Sequence, residues 1–309
     1  MISNILVIGG QGFLGSSIAK TLLKSGYKIS IYDMASTNRF SNIPVNVHVG
    51  TLLDKDKLSK ALDGIDTVLY FASHSIPSSQ NSFLRFEIEN SILSLELLLS
   101  LMIQQGVRNI IFPSSGGTVY GEIDQYAVEE MERKPLIPYG QGKFICEEII
   151  KYYGRIKSLN YCIMRVANVY GCDFIRNVKQ GIIDIYIQNI MMGLPITIWK
   201  NAENSIRDYL FIDDLCTAVK TIINKGAFNN TIYNIGTGVG STVLQIINSI
   251  ETNLNLKANI IFDGTKDSGL SKNILDVRKV ESELGWTANY NLNQGIKETI
   301  KRKSKEKHL

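Results

Sequence analysis

Apolar runs of strand length alternate with amphipathic stretches along the first half of this chain. Residues 5–8 (ILVI) are a short apolar run that predicts a buried strand. Residues 16–25 place Ile18, Ala19, Leu22 and Leu23 on one side of a helix, which Gly26 ends, and residues 27–33 predict a second strand. Further strands are expected at 45–49, 67–71, 109–113 and 161–166, with helices at 55–62, from Asn90 through the apolar stretch 92–103, and from Tyr139 onward. Strands alternating with helices mean an α/β fold, a Rossmann doubly wound parallel sheet. After residue 171 the alternation loosens. Helices are expected at 180–192, 215–224, 242–252 and 279–284, and strands at 196–199 and 232–236. The pattern divides the chain into a Rossmann domain, 1–171, to which 205–238 partly returns, and a smaller C-terminal α/β lobe over 172–309.

The first turn carries chemistry. Gly9, Gly12 and Gly15 are spaced G-x-x-G-x-x-G between the first strand and the first helix, with Phe13 and Leu14 between the last two. A parallel strand that turns sharply into a helix aims the helix's N-terminal amides at a pyrophosphate. Gly9 permits the turn, Gly12 lets the backbone approach the phosphates, and Gly15 lets the helix lie close to the strand. Asp33 ends the second strand, where its carboxylate can accept from adenosine ribose hydroxyls. It favours NAD over NADP, because a carboxylate repels a 2′-phosphate. NADP remains possible, since Arg39 lies six residues on, although it reads first as a solvated loop arginine.

Length, 44% apolar and 20% charged residues fit a soluble globular protein of one or two domains. A net charge of +4 suits an anionic small molecule, and no basic-aromatic stripe points to nucleic acid. The charge run 301–307 (KRKSKEK) reads as a solvated, frayed terminus. Cys146, Cys162, Cys172 and Cys216 form no C-x-x-C pair, and His48, His74 and His308 show no ligand spacing. A disulfide framework and a metal site are therefore not expected, and a reducing cytoplasm is. The first apolar run lacks the charged n-region of a signal peptide. Stretch 92–103 is too short to span a bilayer and holds Glu96, so no membrane association is expected.

Four more places can touch a ligand. Asp54, beside Leu53, reads equally as a helix N-cap and as a partner for adenine. Phe71, Ala72 and Ser73 follow the fourth strand, at the carboxyl edge where an open parallel sheet holds its ligand. Asn90 can reach that crevice or cap its helix. Ser114 to Gly121 (SSGGTVYG) clusters hydroxyls past the fifth strand. In Tyr139-Gly140-Gln141-Gly142-Lys143, the tyrosine and lysine stand at i and i+4 on one helical face. That spacing holds an ammonium beside a phenol, which with an oxidised nicotinamide brings the phenol's pKa toward neutrality for proton abstraction. Gly140 and Gly142 each cost up to ~1 kcal/mol in a helix, so a constraint other than helix stability holds them there.

Together these motifs resemble the extended short-chain dehydrogenase/reductases, and within them the nucleotide-sugar epimerases and dehydratases. GGQGFLG at 9–15, Asp33, SSGGTVYG at 114–121, YGQGK at 139–143, RVANVYG at 165–171, RDYLFIDD at 207–214 and DVRKVESELGW at 276–286 follow the family order over nearly the whole chain. The resemblance implies NAD on the first domain, touched also by Leu53, Asp54, Phe71, Ala72, Ser73, Asn90 and Val166. It implies Tyr139, Lys143, Ser115 and Thr118 as the catalytic set. Ser115 and Thr118 also meet the sugar, while Asn168, Arg207 and Lys266 hold the diphosphate of a nucleotide sugar. Gly116 departs from the family's usual Ser or Thr, and Lys266 stands for its usual Arg. The implied activity is a nucleotide-sugar 4-epimerase working by transient oxidation at C4. Alternatives are a reductase of a 4-keto-6-deoxy sugar nucleotide and a non-catalytic NAD-binding regulator. A 4,6-dehydratase fits less well, because Gly117 and Thr118 occupy its Asp-Glu pair. The family's work in polysaccharide and O-antigen synthesis and its homodimers, built on helices here at about 90–105 and 139–155, extend the expectation.

Overall fold

The computed structural model describes residues 4–77, 83–172, 181–267 and 272–306. Its strands are β1 Asn4–Ile8, β2 Lys28–Asp33, β3 Asn46–Val49, β4 Thr67–Tyr70, β5 Asn109–Ser115, β6 Asn160–Val166, β7 Asn168–Tyr170, β8 Ile196–Lys200, β9 Ile206–Phe211, β10 Thr231–Ile235, β11 Gly240–Thr242, β12 Ile260–Asp267 and β13 Lys272–Asn273. The chain divides into two compact units. The first comprises 1–119, 135–165 and 216–233, and the second 120–134, 166–215 and 234–309. Thus 120–134 leaves the Rossmann stretch for the second unit, and only 216–233 of the later chain returns. The division runs inside β6, β10 and the helix Ile212–Lys225, none of which shows a break in its apolar pattern.

The first unit is built on a seven-stranded parallel sheet in the order β3-β2-β1-β4-β5-β6-β10. Its central strands are buried on both faces, which is why they are continuous apolar runs rather than alternating ones. Leu6, Ile8, Val68, Tyr70, Ile110 and Phe112 share one core with Leu58, Leu95, Leu98, Met102 and Ile150 from the helices Lys55–Ala61, Leu93–Gln104 and Pro138–Lys157. The helix Phe13–Lys24 covers the opposite face with buried Ile18, Ala19 and Leu22. The order reverses between β1 and β4, so the crevice of a doubly wound sheet opens at their carboxyl ends. The glycine turn and residues 71–73 both lie there.

Two expectations about helices are corrected. The apolar helix does not open at Asn90. A short helix Leu84–Glu87 runs through a wider π turn, Ile88–Ile92, into Leu93–Gln104. Asn90 is inside that turn, its amide donating to the Phe86 carbonyl at 2.9 Å, so it is not an N-cap. The basic tail is not a frayed terminus either. Helix Leu292–Glu306 buries Lys303 to 2% exposure, 3.4 Å from the carboxylate of Asp184, and Arg302 forks onto Asp213 at 2.6 and 3.0 Å. Residues 307–309 lie outside the described set.

The second unit gathers β7, β9, β11 and β13 in one small sheet and pairs β12 with β8. Helix Val243–Leu254 starts with a full capping box, Thr242 and Gln245, and packs against Ile182–Met191 and Leu292–Glu306. Tyr170, Phe211 and Tyr290 stack at its centre, with ring centroids 5.6 and 4.6 Å apart.

Gly9 has a φ of +75°, and a Cβ there would lie 2.5 Å from the Ala72 amide nitrogen. Gly9→Ala is therefore expected to cost about 1–3 kcal/mol of stability by backbone strain, read as a fall in the urea midpoint at unchanged slope.

Candidate active site

The glycine turn is shaped for a diphosphate. Gly9 donates to the Tyr32 carbonyl at 2.8 Å, tying the turn to the end of β2. Gly12 is the N-cap of helix Phe13–Lys24, with no side-chain capping bond, and a Cβ there would approach only the Gly9 carbonyl, at 3.2 Å. The first-turn amides, those of Phe13 and Leu14 included, therefore face outward without a side-chain acceptor, as an anion site requires. A Cβ on Gly15 would collide with the Gly9 carbonyl, so the helix can start this close to the strand only with glycine there.

Asp33 closes the turn from the other side. Its carboxylate accepts from the Gln11 amide at 2.8 Å and the Ala35 amide at 2.9 Å. Arg39 is not a solvated loop arginine. It is half-buried, and its guanidinium donates to the Ser16 hydroxyl at 3.1 Å, over the start of the helix. Asp54 caps helix Lys55–Ala61, accepting from the Lys57 amide at 3.2 Å, while Leu53 stands 56% exposed beside it. Phe71 and Ala72 are half-buried and Ser73 is exposed beyond β4, the Ser73 hydroxyl donating to the Ser75 carbonyl. These residues fit an adenine dinucleotide: uncapped amides for the pyrophosphate, a carboxylate for the ribose, an apolar side chain for the base.

The tyrosine and lysine lie on helix Pro138–Lys157, with Pro138 in its first turn, where a missing N–H and a preset φ cost nothing. Lys143 donates to the Pro113 carbonyl at 3.0 Å, and its ammonium stands 4.9 Å from the Phe112 ring centre and 5.9 Å from that of Tyr139. Ser115 hydrogen-bonds the Tyr139 phenol. The structure thus brings Ser115, Tyr139 and Lys143 together at the carboxyl end of β5. The Thr118 hydroxyl is buried with no hydrogen-bond partner among the described residues. Gly140 is explained by Thr118, whose carbonyl would stand 2.8 Å from a Cβ at 140.

The phenol is not near neutrality in the protein alone. Burial first, then the negative charge of Glu87, push Tyr139 up to about 12, against a pull downward from Ser115. Burial also pulls Lys143 down. The expected lowering by Lys143 is not among the influences on Tyr139, and the Lys143 ammonium instead donates to the Pro113 carbonyl.

A buried ion pair holds this arrangement. Glu147, at i+4 from Lys143, takes the Arg165 guanidinium at 2.8 and 3.1 Å and the Ser114 hydroxyl at 2.5 Å, with both charged side chains at most 1% exposed. Sequence reasoning passed over both. The visible signal was an arginine inside the apolar run YCIMRV and a glutamate on the inward face of the tyrosine helix.

The second unit carries the other candidates. Asn168 donates to the Asp208 carbonyl at 2.9 Å, and Arg207 is half-buried, with burial pulling its pKa below the ordinary value. Asp208 spans the amides of Thr237 and Gly238, which shapes the loop after β10. Val166 ends β6. Lys266 lies on β12, its side chain outside the described residues. Among the described residues no cluster of His, Cys, Asp or Glu could hold a metal ion.

Removing one partner of the Glu147–Arg165 pair strands a buried charge. Arg165→Leu is expected to cost about 3–5 kcal/mol in denaturant unfolding, and the double variant Glu147→Leu/Arg165→Leu distinctly less.

Comparison with known proteins places the chain. The family profile described as the NAD dependent epimerase/dehydratase family matches residues 5–236. A Methanocaldococcus jannaschii protein provisionally named UDP-glucose 4-epimerase is 30% identical over 96% of this chain and 97% of its own. The dTDP-4-dehydro-6-deoxyglucose reductase of Escherichia coli is 27% identical over 97% of each chain. The crystal structure of Thermus thermophilus UDP-glucose 4-epimerase in complex with NAD superposes with a TM-score of 0.87 at 26% identity, covering 97% of this chain and 99% of that one. With a glycine turn, a strand-end carboxylate and a tyrosine-lysine helix in family order, this chain belongs to the NAD dependent epimerase/dehydratase family.

Proposed function

We propose that the protein is an NAD-dependent nucleotide-sugar 4-epimerase. The observation that carries this reading is the Tyr139 phenol, hydrogen-bonded to Ser115 with Lys143 one turn on, at the carboxyl edge of a dinucleotide-binding sheet. The first unit carries cofactor and acid–base chemistry, and the second the nucleotide sugar. The glycine turn holds the pyrophosphate of NAD and Asp33 its adenosine ribose. Bound NAD supplies a reversible hydride acceptor and a positive ring that favours the phenolate. Tyr139 takes the proton of the sugar 4-hydroxyl and returns it after the sugar has turned. Ser115 and the unpaired hydroxyl of Thr118 steady the 4-oxygen. Lys143 holds the nicotinamide ribose, and Asn168, Arg207 and Lys266 the diphosphate. The epimerase names of the M. jannaschii and T. thermophilus relatives support a UDP-hexose.

A reductase of a 4-keto-6-deoxy sugar nucleotide is the second reading. Two observations favour it: Gly116 offers no hydroxyl to the 4-oxygen, and Tyr139 is held protonated, ready to donate. The E. coli relative has that activity in its name. A non-catalytic NAD-binding regulator is the third reading.

We infer further a cytoplasmic homodimer that serves polysaccharide synthesis, O-antigen included. Four free, buried cysteines support a reducing compartment, and among the described residues no helix is long and apolar enough to cross a membrane. Exposed Leu93, Tyr152 and Ile156 lie on the helices that the family uses for pairing, and exposed Phe83, Leu84 and Ile88 directly precede the first of them. The polymer follows from the family's usual products.

Three measurements decide among these. Purified protein is expected to release NAD on denaturation and to interconvert UDP-hexoses without net consumption of reduced cofactor. An empty site with stoichiometric NAD(P)H oxidation by a 4-keto-6-deoxy sugar nucleotide would establish the reductase instead. Tyr139→Phe is expected to lower kcat by roughly 10²–10⁴-fold with NAD binding intact, and undiminished biological activity in that variant would leave only the regulator. Leu93→Arg is expected to shift the mass found by light scattering from dimer to monomer.

A further inference from the structure

A second carboxylate stands against the tyrosine helix. Glu87 is 4% exposed, at the end of helix Leu84–Glu87. It accepts a hydrogen bond from the Ser91 hydroxyl at 2.8 Å. A carboxylate has about four acceptor positions, so one hydroxyl leaves a buried charge largely uncompensated. Its side chain lies where a side chain at 142 would be. A Cβ on Gly142 would stand 2.8 Å from Glu87 Oε2 and 3.0 Å from its Cβ and Cγ. Residue 142 shares its helical face with Tyr139, three residues before, and Cys146, four after. Glu87 is therefore seated between the two.

Among the described residues, the lysine or arginine in its surroundings is Lys143. Glu87, Ser91, Lys143, Cys146, Ser73 and His74 line a small cavity of mixed polar and apolar character, with room for about one water. From helix Pro138–Lys157 the titratable groups facing Glu87 are Tyr139, Lys143, Cys146 and Glu147. Glu147 is matched by Arg165 and Ser114. From β4 and the loop after it come Tyr70 and His74. On Glu87's own segment, Arg85 and Glu89 pair with each other at the surface, 2.6 Å apart. Among the described residues that leaves Lys143 as the lysine or arginine that lines the cavity with Glu87.

We propose that Glu87 is a positioning residue of the reaction: seated in the space left by Gly142 and sharing a cavity with Lys143, its carboxylate sets a negative charge beside the tyrosine-lysine pair and with it the pH at which the tyrosine exchanges its proton. The inference rests on the tyrosine-lysine reading above. The electrostatics agree in sign. After burial, Glu87 is the main influence raising Tyr139; burial pulls Lys143 down, and against it Cys146 and then Glu87 pull upward. Removing the negative charge therefore lowers both pKa values.

The test is Glu87→Gln in the full chain, with Gly142→Ala as a second variant that expels the carboxylate without touching residue 87. In Glu87→Gln both limbs of the pH profile of kcat/KM for UDP-hexose interconversion are expected to move down by about one unit. Gly142→Ala is expected to move them the same way, and the double variant no further, since both changes remove one interaction. A second readout needs no sugar. With NAD bound, the tyrosinate absorbance that Tyr139→Phe abolishes is expected to appear at lower pH in Glu87→Gln. A structural role alone would lower amplitude or melting temperature and leave both curves in place, which overturns the proposal. If no sugar nucleotide reacts but the tyrosinate curve still moves, the assigned reaction is wrong and the role of Glu87 stands. If the sugar reacts and neither curve moves, the reverse holds.

Discussion

An ion pair sealed from water joins the tyrosine helix to the sheet. Glu147 comes from that helix, Arg165 from β6, and Ser114, which shares the carboxylate, from the end of β5. Charges at 0–1% exposure persist only when their geometry is complete. The pair therefore allows little freedom in the rotation of the helix or in its height above the sheet. Ser115 follows Ser114 directly, and Lys143 precedes Glu147 by one turn. Fixing Glu147 thus fixes where the phenol, the ammonium and the β5 hydroxyl meet.

The glycines of the same helix have the complementary role. Gly140 gives way to the Thr118 backbone and Gly142 to the Glu87 side chain. One helix is thus held at three levels: an ion pair behind, a strand-end turn at its start, and a carboxylate against its open face. The propensity cost of these two glycines, and of Gly154 against the Tyr161 ring further along, is the consequence of packing that leaves no volume for a Cβ. The same logic runs the glycine turn after β1, where Gly9 and Gly15 are demanded by backbone contact and Gly12 leaves the helix amides open.

Electrostatically, the site is poised toward the neutral phenol. Burial and Glu87 hold the proton on Tyr139, and burial weakens Lys143. Bound NAD would supply a positive ring that favours the phenolate, and Tyr139 would then lose its proton more readily with the cofactor in place. The arrangement serves an epimerase, which needs both protonation states in one cycle, and equally a reductase, which begins from the phenol.

The sequence by itself determined the sheet, the glycine turn, the strand-end acid and the tyrosine-lysine spacing, because each depends on neighbours within a few residues and on a period of two or 3.6. It also determined the family, through motifs kept in order along the chain. Only the tertiary structure decided what depends on distant segments. Asn90 lies in a π turn, because a wider turn inside an apolar stretch leaves the hydrophobic pattern unbroken. Arg39 folds onto Ser16, and the tail from Lys301 continues a docked helix, because the partners of Arg302 and Lys303 lie 89 and 119 residues earlier, at Asp213 and Asp184. Glu147 and Arg165 leave a trace in the sequence, a glutamate on the inward helix face and an arginine in an apolar run, but only the fold brings them together with Ser114, 33 residues before Glu147.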